Sequence, residues 1–282
     1  KPPRCDAACR KALRMIRPLL QTLAAPPAAQ ATMGPLPAAM TAPPHAMTQT
    51  DPNQGPAPAR TSAVKLLAID LDGTLLRQDK RLTKRNGEAV QRAADAGVHV
   101  VIATARPPRS VREIHRALGL ETITINYNGA LIHEPTTGDH LFHQPLPPGL
   151  SRKIVEAARK KDPHIELSYE ILDQWYTDRY DKPQKLETAK AFSPDFVGEL
   201  ESFIDTTPTK LMLLAPPERL GGVHKHLQRK FGKKVSIVVS DTHLLQVVHP
   251  AVDKGNALRA VAQRLGIDRE HVMAIGDAPN DL

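Results

Sequence analysis

Cysteine is almost absent from this 282-residue chain: two occur, Cys5 and Cys9, both close to its start. A disulfide framework and a four-thiolate zinc site are therefore excluded. A body that works without thiols suits a reducing compartment, so a cytoplasmic location is expected. Aromatic residues make up only 4% of the chain, too few for the stacking platforms that hold single-stranded nucleic acid. No stretch approaches the ~18 consecutive apolar residues of a membrane-spanning helix, which excludes an ion-pumping ATPase, and no membrane partner is expected. Excess charge is also scarce where it would matter. The net charge is +8, but residues 1–60 hold seven Lys and Arg against two Asp and Glu, and the remaining 222 hold 31 against 28. A nucleic-acid partner is not expected for a body so nearly balanced.

Apolar residues, at 41%, are sufficient for a substantial core. They are unevenly placed. Residues 21–60 contain 11 Ala and 9 Pro, a linker composition, so residues 1–61 are expected to be a disordered Ala/Pro-rich extension. Arg17 and Pro18 interrupt the apolar region a signal peptide would need. The first residue is Lys rather than Met, and much of 1–46 reads as upstream or fragmentary sequence.

Order is expected from Val64. Val64–Ile69 and Val98–Ala103 are short apolar runs, as in strands buried on both faces, and Thr122–Ile125 is a third. Helices over 83–96 and 108–118 separate them, closed by Gly97 and Gly119. Strand, helix, strand, helix, strand at this spacing predicts a parallel sheet with right-handed crossovers. The pattern then changes. A hairpin over 130–143, a helix over 151–161, a strand at Ile165–Tyr169, a helix near 217–230 and strands at Lys234–Val239 and His243–Val248 suggest an α+β insert. The first pattern resumes with a helix over 254–265 and the strand Val272–Ile275. The expected fold is thus α/β: an open Rossmann-like parallel sheet core, residues 62–131 and 251–282, interrupted by an α+β cap domain over 132–250.

In open α/β sheets the ligand sits at the carboxyl ends of the strands. Three such ends carry chemistry: Asp70-Leu71-Asp72-Gly73-Thr74, then Thr104-Ala105-Arg106-Pro107, then Gly276-Asp277-Ala278-Pro279-Asn280-Asp281. Asp253-Lys254-Gly255 opens the helix before the last of them. Carboxylates, a hydroxyl and an ammonium from distant positions thus share one rim, which suggests phosphoryl transfer through an aspartate. A carboxylate can attack phosphorus once the phosphate charge is neutralised by magnesium and by lysine. A second carboxylate two residues on can protonate the leaving alkoxide and then deprotonate water. Gly73 permits a sharp turn between them and the next element. The histidines are scattered without metal-ligand spacing. Trp175, Tyr176 and Arg179 are candidates for lining a substrate cleft, with ordinary packing the simpler role.

These four segments resemble the four motifs of the haloacid dehalogenase superfamily of phosphatases. The long insert, together with Asn128-Gly129-Ala130 and Val252–Leu258, is similar to its Cof-type subfamily with a type IIB cap. The resemblance covers about 64–282 and implies the following roles. Asp70 is the nucleophile and a magnesium ligand. Asp72 is the general acid/base, with its main-chain carbonyl on magnesium. Thr104 and the amides of Leu71 and Ala105 hold phosphate, Lys254 neutralises it and Asn280 contacts it. Asp277 and Asp281 complete the Mg2+ site. Ala105 departs from the glycine common there. The resemblance also implies a further helix and strand beyond Leu282, so the chain is expected to be truncated, with one edge of Val272–Ile275 left unpaired. The expected substrate is a small phosphorylated metabolite such as a sugar phosphate. Two other readings stay open at this point: a phosphomutase, and a catalytically weak binding or regulatory module.

Overall fold

A computed structural model of the chain describes residues 63–180, 191–200, 207–278 and 281. In chain order it contains β1 (Leu66–Ile69), α1 (Lys84–Asp95), β2 (His99–Ala103), α2 (Arg112–Ala117), β3 (Thr124–Asn126), β4 (Leu131–His133) and β5 (His140–His143). There follow α3 (Pro148–Lys161), β6 (Glu166–Ile171), β7 (Gln174–Thr177), β8 (Phe196–Val197), β9 (Lys210–Leu214), α4 (Pro217–Phe231), β10 (Ser236–Asp241) and β11 (Leu244–Val248). The described residues end with α5 (Lys254–Arg264) and β12 (Val272–Ile275). No described helix is long and apolar enough to cross a membrane.

Two six-stranded sheets result. The first has the order β12-β1-β2-β3-β4-β5. Its first four strands are parallel and its last two antiparallel. The continuous apolar character of β1 and β2 follows from cover on both faces. Leu66, Ala68, Val101 and Ala103 pack against Ala257, Ala260 and Val261 of α5. Ile69, Val100 and Ile102 pack on the other side with Val90 of α1, Val111 and Leu118. Each of the Leu, Ile and Val side chains among them, fully buried, stabilises the fold by roughly 1.5–3 kcal/mol. Thr83 caps α1 by accepting a hydrogen bond from the Asn86 amide at 3.1 Å, which fixes where that helix starts. The strand β12 lies at the end of the sheet, and its Met273 and Ile275 are exposed.

The second sheet, in the order β10-β11-β9-β6-β7-β8, is antiparallel apart from the β7–β8 pair. Helix α4 buries Leu220, Val223, Leu227 and Phe231, a single stripe at helical spacing. Trp175 and Tyr176 are buried within this unit, so packing rather than cleft lining is their role. Three strands of this sheet, β7, β8 and β9, have no counterpart in the sequence reading. In β9 all five residues are buried, so the run lacks the alternation that signals a half-exposed strand.

The expected start of the insert at residue 132 falls inside β4. The hairpin of β4 and β5 is hydrogen-bonded to β3 and so extends the first sheet. The chain passes to the second set of elements only after His143. Helix α3 also begins three residues earlier than expected, with a proline in its first turn, where the missing amide is not needed.

His143 lies at that passage. Its Nε2 is 2.8 Å from the Thr209 hydroxyl, which already accepts from the Leu172 amide at 2.8 Å. With the ring neutral, Nε2 can accept the hydroxyl proton. Burial first, and then the neighbouring His140, push the His143 imidazole down to about 4. The unfolded ring binds a proton near its ordinary value of ~6.5, whereas the folded ring stays neutral. Stability from this group is complete above that value and is lost as the pH falls toward 4, by up to about 3 kcal/mol. Urea unfolding across that range should show a steeper acid loss for the parent than for His143→Gln. Equal slopes would show that His143 is not held neutral.

Candidate active site

Strand β1 runs between β12 and β2, and all three end on the same side. The ladder continues one residue further, the Asp70 amide donating to the Ile275 carbonyl at 3.0 Å. This holds the Asp70 main chain rigidly beside the end of β12, where Gly276 and Asp277 follow. Asp70 is 8% exposed, and its side chain meets Lys254, whose Nζ donates to Asp70 Oδ1 at 2.5 Å and to Asp281 Oδ1 at 2.6 Å.

Two local features aim Lys254 there. Asp253 caps α5, accepting from the Asn256 amide at 2.6 Å, which sets the helix start at the lysine itself. The start of α5 also rests against Gly129. A Cβ at that glycine would stand 2.4 Å from the Asp253 carbonyl oxygen, and its φ is +103°. The segment Tyr127-Asn128-Gly129 is left-handed throughout, with φ of 52°, 56° and 103°. Only glycine adopts that conformation without strain while allowing so close a backbone approach.

The carboxylates of Asp70, Asp277 and Asp281 offer oxygens that all lie within 4.8 Å of one another. The Thr74 hydroxyl fixes Asp277 by donating to its Oδ1 at 2.8 Å. Asp281 folds back over Gly276, where a Cβ would lie 2.3 Å from its Cγ, and it accepts from the Ala278 amide at 3.0 Å. Three carboxylates against one ammonium leave two negative charges in excess. An all-oxygen donor set with that excess fits a hard divalent cation such as Mg2+. Burial raises the Asp70 carboxyl above the ordinary carboxylate value, Lys254 offsets this only in part, and Asp281 adds to the rise.

Asp72 is held apart from this cluster. Arg106 grips it with two hydrogen bonds, Nε to Oδ2 at 2.8 Å and Nη2 to Oδ1 at 2.5 Å. Lys80 adds a third, Nζ to Oδ1 at 2.8 Å. Burial pushes the Asp72 carboxyl up, but the hydrogen bonds and charges of Arg106 and Lys80 outweigh it, and the net shift is downward. Thr104 is buried at the end of β2, its hydroxyl accepting from the Arg106 amide at 3.2 Å. The hydroxyl proton remains available to an acceptor. Ala105 lies in the bend between these two residues, and the Leu71 amide lies against the Asp70 carboxylate.

Of the residues expected from sequence, the structure brings Asp70, Lys254, Asp277 and Asp281 into direct contact or close approach. It sets Asp72 beside them on a separate cationic clamp. Asn280 lies outside the described residues. Sequence reasoning gave Thr74 and Lys80 no role. It also missed Arg109, whose guanidinium binds Asp195 at 2.7 Å and Asp173 at 3.4 Å. Long-range charge pairs of this kind leave no spacing in a single sequence.

A family model described as haloacid dehalogenase-like hydrolase matches residues 67–282. The HMP-PP phosphatase of Cronobacter sakazakii is 31% identical over 219 residues, covering 77% of this chain and 79% of that protein. The 5-amino-6-(5-phospho-D-ribitylamino)uracil phosphatase YitU of Bacillus subtilis is 27% identical over 224 residues, covering 77% of this chain and 81% of that protein. Among solved structures, TM0651 from Thermotoga maritima superposes with a TM-score of 0.68 at 26% identity, over 77% of this chain and 81% of that one.

The contact between Gly73 and Asp277 generates a prediction. Gly73 has φ +94°, and a Cβ there would lie 2.3 Å from Asp277 Oδ2. Gly73→Ala should therefore displace Asp277 as well as strain the turn. The expected outcome is a ~10–100-fold weaker Mg2+ affinity by calorimetric titration, with a stability loss of about 1–2 kcal/mol in urea. Parent-like Mg2+ affinity would remove Asp277 from the metal site.

Proposed function

Because this chain belongs to the haloacid dehalogenase-like hydrolases, and is an enzyme of their phosphatase kind, we propose that it hydrolyses phosphomonoesters of small metabolites, in the cytoplasm, by magnesium-dependent chemistry through an aspartyl-phosphate. The observation that carries this reading is the buried Lys254 ammonium joining Asp70 to Asp281 at the ends of β1 and β12, next to Asp277.

Asp70 Oδ attacks phosphorus as the ester oxygen departs on the opposite side, forming an acyl phosphate on the protein. Lys254 and the Thr104 hydroxyl, with the Leu71 and Ala105 amides, are placed to hold the phosphoryl oxygens and spread their charge. Asp70, Asp277 and Asp281 are the residues that would hold magnesium, which when bound supplies further neutralisation of phosphate charge. Asp72 delivers a proton to the leaving oxygen and later takes one from the water that hydrolyses the acyl phosphate. Its carboxyl is held low by Arg106 and Lys80, which suits the water-activating half. A phosphoryl dianion arriving beside it raises the carboxyl again and lets it carry the proton for the first half. The second sheet acts as the cap that covers the mouth and excludes water.

The metabolite class is supported by relatives named as phosphatases of HMP-PP and of a ribitylaminouracil phosphate. A panel of phosphorylated metabolites assayed for inorganic phosphate release with Mg2+ tests the reading, since a mutase would retain the phosphoryl group. In that assay Asp70→Asn should abolish turnover while leaving the folded circular dichroism spectrum unchanged. Residual activity within about tenfold of the parent would remove Asp70 as the nucleophile. Asp72→Asn should bind Mg2+ much as the parent does and turn over ~10²–10⁴-fold more slowly. An unchanged rate would take the acid–base role from Asp72.

A further inference from the structure

The cationic clamp on Asp72 holds more positive charge than that carboxylate can balance. Arg106 alone satisfies both oxygens of Asp72, yet Lys80 Nζ also reaches Oδ1 at 2.8 Å. One carboxylate thus faces two cations. The segment that brings Lys80 there is itself cationic, with Arg77, Lys80 and Arg81 against the single acid Asp79.

The backbone is bent to make this contact. The Arg77 amide donates to the Arg81 carbonyl at 3.0 Å and the Lys80 amide to the Arg77 carbonyl at 2.9 Å, a tight turn over residues 77–81. Bridges Asp72–Leu76 and Leu76–Leu82 fold that turn back beside the site. Lys80 sits at its tip with φ +62°, a left-handed conformation that disfavours any side chain with a Cβ. An ion pair whose lysine side chain is 41% exposed stabilises too little to offset such a backbone. Strain of this sort persists where function requires it.

We propose that Lys80, together with Arg106, forms a leaving-group site that selects phosphate esters whose alcohol carries a second anionic group, a carboxylate or another phosphate. The inference rests on the phosphatase reading: the leaving oxygen must approach Asp72 to receive its proton, and the two cations lie just beyond that carboxylate. The surplus positive charge then falls on the leaving group rather than on the transferred phosphoryl group. A neutral polyol phosphate leaves it unused, whereas an anionic appendage takes up the remaining Lys80 donors.

A two-carbon series separates the possibilities: 2-hydroxyethyl phosphate (neutral appendage), phosphoglycolate (carboxylate) and ethane-1,2-diol bisphosphate (phosphate). Steady-state kcat/KM is measured for each with Mg2+ and the full chain. At least one anionic ester should exceed the neutral one by about fivefold, the weight of a half-exposed charge contact, and added salt should compress the ratio. Which of the two leads identifies the appendage. Lys80→Asn, a side chain that tolerates the left-handed backbone, should bring the ratio close to one, whatever happens to the absolute rates. Lys80→Arg should preserve it. If all three esters are hydrolysed and the ratio is the same in the parent and in Lys80→Asn, the leaving-group site is overturned and the phosphatase reading stands. If the parent hydrolyses none of them, or the wider metabolite panel, both fall.

Discussion

An ammonium group buried between two carboxylates is the interaction on which the site depends. Lys254 is only 6% exposed, and it opens a helix, at the end where the backbone dipole already repels a cation. Removing such a charge from water costs several kcal/mol unless partners surround it. Asp70 and Asp281 are those partners, and the Asp253 cap supplies a third negative group one residue away. The geometry is consequently unforgiving. Helix α5 must begin at one residue, Gly129 must admit it, and the ends of β1 and β12 must lie side by side.

The two aspartates at the end of β1 then receive opposite environments although they are two residues apart. Burial dominates at Asp70 and raises its carboxyl, while the charges of Arg106 and Lys80 prevail at Asp72 and lower it. Opposite environments of this kind are how two like groups come to carry different roles, as the proposed mechanism requires of these two. The alternation of an extended strand end alone would not separate them; the turn at Gly73 and the cations from 80 and 106 do.

The parallel core was legible because its signals are local. The apolar runs of β1 and β2, the cap at Thr83 and the stripe of α5 each belong to one short segment. The candidate site was legible for a related reason: its carboxylates, Thr104 and Lys254 occupy strand ends and a helix start, positions that topology brings to one rim. What the sequence hid falls into two kinds. Strand β9 is buried throughout, so it shows no period, and the β4–β5 hairpin could have joined either sheet. Contacts such as Thr74 with Asp277, Lys80 with Asp72 and Arg109 with Asp195 depend on how loops fold in space. The place of Asp72 at the end of β1 was readable, whereas the clamp around it was not.

The position of β1 between β12 and β2 has a consequence for synthesis. Asp70 and Lys254 are 184 residues apart, and β12 comes later still. At roughly 5–20 residues per second the ribosome needs on the order of ten to forty seconds to cover that separation. During that interval the nascent chain can pair β1 with β2 but has an open edge where β12 will dock, and Asp70 has no ammonium beside it. Asp70 is thus made well before the groups that gather around it. The cluster of Asp70, Lys254, Asp277 and Asp281 cannot assemble on the growing chain until β12 has been made and has docked on that edge.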